Sequence, residues 1–357
     1  MKKSLIALAV LAASGAAMAQ SSVTLYGVAD AGVTYLNGAD NWSGVTSGNN
    51  LTSRLGFRGV EDLGGGLKAN FVIEGGFNLD NGDGASGYAG AKAGEGFQFK
   101  RRSTVGLSGG FGEVRMGREL TAAYNATARY DVFGSVGIGQ SRLWADGGVV
   151  DASANATAVT TNQRISNALT YVSPDFSGFK VGVNYGFGET TNGNSDSSYM
   201  GAGLMYDNGP LSLGLGLERL NNGANSVAVS DIDAWSLGGS YDFGVAKLLA
   251  GYRESKVDRA TGENKRLGYY VAATAPVGAG TVRVSYNRYE NELANVKGKA
   301  DQFAIGYVYG LSKRTSVYGT YAYLKNKDGA NLYTLGSGGL KTNGSQQGVQ
   351  VGVSHSF

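Results

Sequence analysis

The side chains that carry most of the electrostatic chemistry in this 357-residue chain are arginines set in strand-like stretches. Residues 53–59 read "SRLGFRG", with Arg54 and Arg58 four apart in a period-two alternation. Leu55 and Phe57 take one face; Arg54, Gly56 and Arg58 take the other. A wall of such charges makes and breaks no bonds, but it biases which ions pass it. Bond-making chemistry is poorly provided for. The only histidine is His355, three residues from the end, so no serine–histidine triad can form around a central imidazole. With no cysteine, zinc or iron sites built from Cys and His are excluded, and no cofactor is called for. Carboxylates alone could support glycoside hydrolysis, yet no pair stands out. The expectation is a protein that is not an enzyme.

The chain begins "MKKSLIALAVLAASGAAMAQS". Lys2 and Lys3 form a basic region, Leu5 to Ala13 an apolar one, and Ala17-Met18-Ala19 a small-x-small cleavage site, which together read as a secretory signal peptide over residues 1–19. The apolar run is too short to anchor in a bilayer. Without Lys2 and Lys3, the 31 basic residues fall to 29 against 28 acidic ones, so net charge implies no nucleic-acid partner. Electrostatic function must then depend on where charges sit.

From Ser22 onward one unit recurs: about ten alternating residues, then a turn or loop. "LKANFVIEGGF" sets Leu67, Ala69, Phe71, Ile73 and Phe77 against Lys68, Asn70 and Glu74. "TVRVSYN" sets Val282, Val284 and Tyr286 against Arg283 and Ser285. Sixteen runs are expected, near 23–36, 50–60, 66–77, 97–108, 111–118, 164–173, 178–188, 198–207, 210–219, 232–242, 245–256, 264–274, 279–289, 300–310, 313–325 and 346–357. Short gaps such as "EDLGGG", "SGGFG" and "DNGP" follow the even runs; longer polar ones, 37–49 and 290–299 among them, follow the odd runs. The 59 glycines and three prolines suit an all-β chain better than helices. A soluble sandwich would need fewer strands and a second apolar inner face. One apolar and one polar face per run, an even strand number and alternating gap lengths predict a 16-stranded antiparallel transmembrane β-barrel with short periplasmic turns and long external loops.

In that barrel an outward arginine at mid-bilayer would cost about 2–4 kcal/mol, so Arg54 and Arg58 face the lumen. Sixteen strands enclose an aqueous channel rather than a packed core. Parity adds Arg102, Arg115 and Arg164 to the inner face and leaves Arg101 for the rim. Arg118 has the wrong parity unless Gly117 hosts a bulge that re-aims it. The longest gap, 119–163, carries Asp131, Asp146 and Asp151 with Arg129 and Arg142. A connection of that length is usually functional, whether folded inward to narrow the channel or left outside as an external loop.

Several stretches resemble the general porins of Gram-negative outer membranes, most of all the trimeric porins of β-proteobacteria: "SSVTLYGVADAG", "SRLGFRGVEDLGGGLKANFVIE", "GLSGGFGEVRMGRE", "NALTYVSPDFSGFKVGVNY" and the terminal Phe357. The resemblance covers the mature chain, 20–357, as a single porin domain. It implies a homotrimer of 16-stranded barrels whose third external loop, here 119–163, folds inward as a constriction. On one side of that constriction it implies Arg54, Arg58, Arg102, Arg118 and Arg164; on the other, Glu74 and a loop acid, Asp131 or its rival Asp146. The acid-rich "PEFGG" loop element of some relatives is absent, which weakens the negative pole. Phe357 resembles the terminal aromatic read by the outer-membrane assembly machinery.

The resulting expectation is passive diffusion of small ions and hydrophilic solutes through an outer-membrane channel in contact with lipid, with anions preferred. Alternatives are a surface-binding barrel, such as an adhesin or phage receptor acting through its loops, and a substrate-specific channel. Neither a metal nor a nucleic acid enters any of these readings.

Overall fold

The computed structural model describes residues 22–84, 96–144, 163–188, 198–221, 231–258, 263–293, 296–330, 333–337, 339 and 341–357. The expected signal peptide and two of the loop acids, Asp146 and Asp151, lie outside these residues.

Seventeen strand segments form one sheet. In chain order they are β1 (Ser22–Asn37), β2 (Asn41–Ser47), β3 (Arg54–Gly64), β4 (Leu67–Gly76), β5 (Arg102–Gly109), β6 (Gly112–Leu120), β7 (Arg164–Val172), β8 (Phe179–Gly186) and β9 (Ser198–Asn208). They continue as β10 (Leu211–Asn221), β11 (Asp231–Asp242), β12 (Lys247–Val257), β13 (Asn264–Val277), β14 (Gly280–Leu293), β15 (Val296–Gly310), β16 (Thr315–Lys327) and β17 (Ser345–Ser356). Each strand pairs antiparallel with its chain neighbour from β3 onward, and β17 returns to β1 in the register Val28↔Ser356 to Asn37↔Gln347, which closes the barrel. Backbone N–H groups of Gly27 and Phe357 each donate to the other's carbonyl at 3.1 Å, extending the closure to the last residue.

Seventeen segments make sixteen staves. The lower half of β1, Ser22 to Val28, pairs with β3, while its upper half, Ala31 to Asn37, pairs with β2. So β2 and β3 share one stave interrupted at residues 48–53. The expected loop over 37–49 is therefore corrected: it contains a strand. Asp30 explains the break. Its buried carboxylate accepts N–H bonds from Asn49 (2.8 Å), Asn50 (3.2 Å) and Leu51 (3.0 Å) and the Tyr318 hydroxyl (2.8 Å), giving the interrupted backbone the partners that a ladder would otherwise supply. The expected loop 290–299 is also corrected. Strands β14 and β15 run on to Leu293 and Val296, and the pairs Glu290↔Lys299 and Glu292↔Lys297 set opposite charges across the ladder.

Connections at one end are short: residues 65–66, 110–111, 173–178, 209–210, 243–246, 278–279 and 311–314. At the other end the chain leaves for residues 77–101 and 121–163. Outward side chains are apolar and bare, among them Val33, Val105, Met116, Met200 and Val351, each more than half exposed. Such a surface belongs in lipid, and the closed ladder leaves no edge there. Among the described residues no helix is long and apolar enough to cross a membrane.

The buried apolar cluster lies inside the barrel, where the segment after β6 meets the inner wall. Thr121 caps the helix α1 (Ala122–Thr127), its hydroxyl accepting the Tyr124 N–H at 3.2 Å. Glycines on the wall make room for this segment. A Cβ at Gly203 or Gly214 would lie 2.2 and 2.0 Å from the carbonyl oxygens of Ala122 and Ala126. At Gly238 it would meet the Tyr130 ring, at Gly251 the Trp144 ring and at Gly268 Leu143. Tyr130, Phe133, Ile138, Leu143 and Trp144 are consequently buried in one cluster with Tyr270, Tyr289 and Leu324. The segment is seated against β8 to β17 by close packing.

These sockets make a prediction. Gly214→Val should leave the strand content measured by circular dichroism unchanged, because valine favours strands, yet expose residues 121–144 to protease. Gly319→Ala, at a position where an added Cβ meets nothing within 4 Å, should do neither.

Candidate functional site: the arginine wall

The inner face of β3 to β7 collects the guanidinium groups. Cross-strand register orders them. Tyr26, Gly56, Glu74 and Arg102 form one row across β1, β3, β4 and β5. Arg58 sits in the next row towards the short turns, opposite Thr24 and Val72, and Arg54 in the next row away from them, opposite Val28 and Gly76. Successive rows on one face are about 6–7 Å apart. Gly56 separates the two arginines because the Tyr26 ring occupies its side-chain space: a Cβ there would lie 2.6 Å from the ring. Tyr26 in turn donates its hydroxyl to Glu74 Oε2 at 3.0 Å and lies under Arg58, 5.3 Å from guanidinium carbon to ring centre.

Glu74 is the carboxylate of this cluster. Arg101 pairs with it through Nε and also donates its backbone N–H to the Glu74 carbonyl at 3.0 Å, while Arg54 stands 3.9 Å away. Arg101 is thus corrected from rim to interior. It precedes β5, so strand parity does not govern where its side chain goes. Arg102 bonds the Thr104 hydroxyl at 3.1 Å and comes within 3.8 Å of Glu119. Glu119 chiefly holds Arg115, whose Nη1 also reaches Glu113 at 2.6 Å.

The bulge at Gly117 is present: the β6–β7 register shifts between Gly117 and Glu119, and Gly117 has φ +129°. A Cβ there would lie 2.0 Å from the Ser103 carbonyl oxygen, so glycine is required. The bulge lays Arg118 Nε on the Lys100 carbonyl (2.7 Å) and Nη1 on the Ser166 hydroxyl (2.9 Å). Arg164 takes the adjacent Arg101 carbonyl at 2.8 Å. Arg118 and Arg164 therefore pin the same two-residue stretch that delivers Arg101. Arg54, Arg101, Arg102 and Arg115 approach the three carboxylates Glu74, Glu113 and Glu119, Arg58 covers a ring and Arg164 a carbonyl, while Arg118 stays in register with Ser103, on the alternate face from Gly117.

Asp131 is used differently from expectation. Its buried carboxylate accepts the backbone N–H groups of Phe133 (2.9 Å), Ser135 (3.0 Å) and Ser141 (2.8 Å), so it folds its own loop. Burial pushes its carboxyl up to about 6, against the pull of those three donors. Arg283, read only as part of a polar face, joins the loop to the interrupted stave. Its Nη1 donates to the Val132 carbonyl (3.1 Å), its Nη2 to Asn50 Oδ1 (3.0 Å), and its guanidinium covers the Phe133 ring at 4.8 Å. Period-two parity had already placed it inside; which partner it meets depends on loop geometry that parity does not contain.

Residues 5–329 match the Gram-negative porin family. The chain belongs to that family. It is 45% identical over 372 residues to outer membrane porin protein 32 of Delftia acidovorans, with both chains covered completely. Over 360 residues it is 30% identical to the major outer membrane protein P.IB of Neisseria gonorrhoeae, covering 93% of this chain and 96% of that one. The solved anion-selective porin of Comamonas acidovorans superposes with a TM-score of 0.81 at 40% identity, over 95% of this chain and all of that one. This is an outer-membrane porin of the Gram-negative type, a 16-stranded barrel in that membrane.

The pairing at Glu74 generates a test. Glu74→Gln removes the carboxylate charge that faces the buried Arg101 guanidinium and should cost on the order of 3 kcal/mol of stability, read as a lower heat-unfolding midpoint in detergent. Arg58→Gln, an exposed cation over a ring, should change that midpoint little.

Proposed function

We propose that the barrel is a water-filled channel for passive diffusion of small ions and hydrophilic solutes, and that it prefers anions. The observation carrying this reading is the imbalance on the β3–β7 wall, where cations outnumber carboxylates, while the one described loop acid expected to oppose them bonds its own backbone. The description of the Comamonas acidovorans neighbour as anion-selective supports the same sign. In this reading Arg54, Arg58, Arg102, Arg118 and Arg164 with Glu74 line the narrow zone, and the segment 119–163 narrows the lumen from the opposite side. Charges preorganised on the wall act there at reduced dielectric, where each counts for more than in bulk water.

The same reading takes residues 1–19 as a leader removed on export, and 20–357 as the mature barrel. It takes Phe357, seated against Gly27, as the residue met by the assembly machinery. The protein works as a homotrimer whose contacts involve strands near both termini. A neighbouring solved barrel, OmpT of Vibrio cholerae, is described in a trimer form, and it shares the fold at 16% identity.

Single-channel recording across a KCl gradient tests the central part. The wild type should give an anion-signed reversal potential, and Arg54→Ser with Arg58→Ser should move it towards zero. A cation-signed potential, or one unmoved by the double substitution, contradicts the proposal.

A further inference from the structure

The connection between β16 and β17 does not stay outside the barrel. Tyr333 and Leu335, both on it, are 6% and 5% exposed and belong to the same buried cluster as Leu143, Trp144, Tyr289 and Leu324. Inward side chains of the two flanking strands hold them there. Asn326 on β16 accepts the Tyr333 N–H at 3.2 Å and donates to the Tyr333 carbonyl at 2.9 Å. Gln346 on β17 accepts the Leu335 N–H at 2.7 Å and donates to the Ser337 carbonyl at 2.6 Å. A carboxamide offers the acceptor and donor that a peptide group offers. The two wall amides thus supply hydrogen bonds to a backbone that has left the ladder.

Residues 333–337 rest on the end of the other inward segment. Arg142 donates from Nε to the Thr334 carbonyl at 3.0 Å. Tyr289, on the inner face of β14, serves both segments. Its ring stacks on Tyr333 with centres 4.9 Å apart, and its hydroxyl accepts the Arg142 N–H at 2.9 Å. The same hydroxyl donates to Gln302 at 3.1 Å, and Gln302 donates in turn to the carbonyls of Ile138 (3.3 Å) and Gln140 (3.0 Å). Residues 138–142 are therefore held from the wall by Gln302 and Tyr289, and from the long-loop end by Thr334 and Tyr333. The opposite side of the connection faces water at Asp328, Gly336, Ser337 and Lys341.

We infer that residues 333–337 form a strap that holds the segment 121–144 in its narrowing position, so that the steadiness of the open channel is set from the cell-surface side of the barrel. This rests on reading the barrel as a channel. A strap fixed by a few side-chain bonds opens locally far more readily than the strand ladder beneath it. When it lifts, Tyr289 loses its stacked ring, Arg142 loses the Thr334 carbonyl, and Leu143 and Trp144 lose the cover of Tyr333 and Leu335.

Single-channel recording and limited proteolysis of the intact protein in detergent test this together. Tyr333→Ala with Leu335→Ala removes the ring stack and the cover, but no charge and no group of the arginine wall. Brief closures at constant voltage should become at least tenfold more frequent, and proteinase K should cut within 121–144 at least tenfold faster. The reversal potential in a KCl gradient should stay at the wild-type value. Asn326→Leu, which takes both side-chain bonds from the Tyr333 backbone, should act in the same direction and supplies the reading should the double variant not fold. Lys341→Ala, exposed on the same connection, should change neither rate. Wild-type closure frequency together with wild-type protection of 121–144, in a variant whose residues 333–337 have become cleavable, would overturn the inference. A folded wild type that passes no current would contradict the channel reading instead, and the cleavage rates would still decide whether the strap holds the segment.

Discussion

The structure depends on one constraint: in hydrocarbon, every backbone N–H and C=O must bond within the protein, and a closed ladder is the way a sheet achieves this. Closure forces alternation, because side chains on a pleated strand leave it on opposite faces. Outward positions meet lipid and become Val33, Val105 or Met200; inward positions become Arg54, Glu74 or Gln350. Where closure is locally broken, at residues 48–53, the cost is met at once by the Asp30 carboxylate, which takes three amide protons.

A barrel of sixteen staves is too wide for its own side chains to fill, and the chain answers with a segment of itself. Residues 121–144 follow the wall, α1 and Tyr130 in the glycine sockets of β9 to β11, Leu143 and Trp144 in those of β12 and β13. Glycine on the inner face is thus a contact surface, not a gap. Arg283 ties the tip of this segment to the interrupted stave, so two inward departures from regular sheet brace one another. The arginine wall lies on β3 to β7, away from the sockets, while the socket side is packed against residues 121–144 and carries its own buried pair, Arg253 with Glu218.

Much of this was legible in the sequence, and for a physical reason. Period-two alternation is imposed residue by residue by two different media, so each of the sixteen expected runs corresponds to one strand, and the orientation of Arg54, Arg58, Arg102 and Arg115 follows from parity. The bulge at Gly117 was legible too, because only glycine fits there. What parity cannot reach is chain outside regular strands. Arg101 precedes β5 and turns inward onto Glu74. β2 is short and polar, and it pairs only with the upper half of β1. Asp131 carries the right charge in the right loop, but a carboxylate close to three backbone amides satisfies those first. Loop geometry is decided by such local competition, which residue spacing does not record.

The central claim is that neighbouring side chains of one strand meet different media, water within and lipid without. The protein has no cysteine, so single cysteines can be read against an empty background. With cysteine placed in turn at 54, 55, 57 and 58, a charged, water-soluble thiol reagent added to open channels should cut the current at 54 and 58 and leave 55 and 57 unaffected. Block at 55 or 57, with 54 and 58 unreactive, would contradict the account.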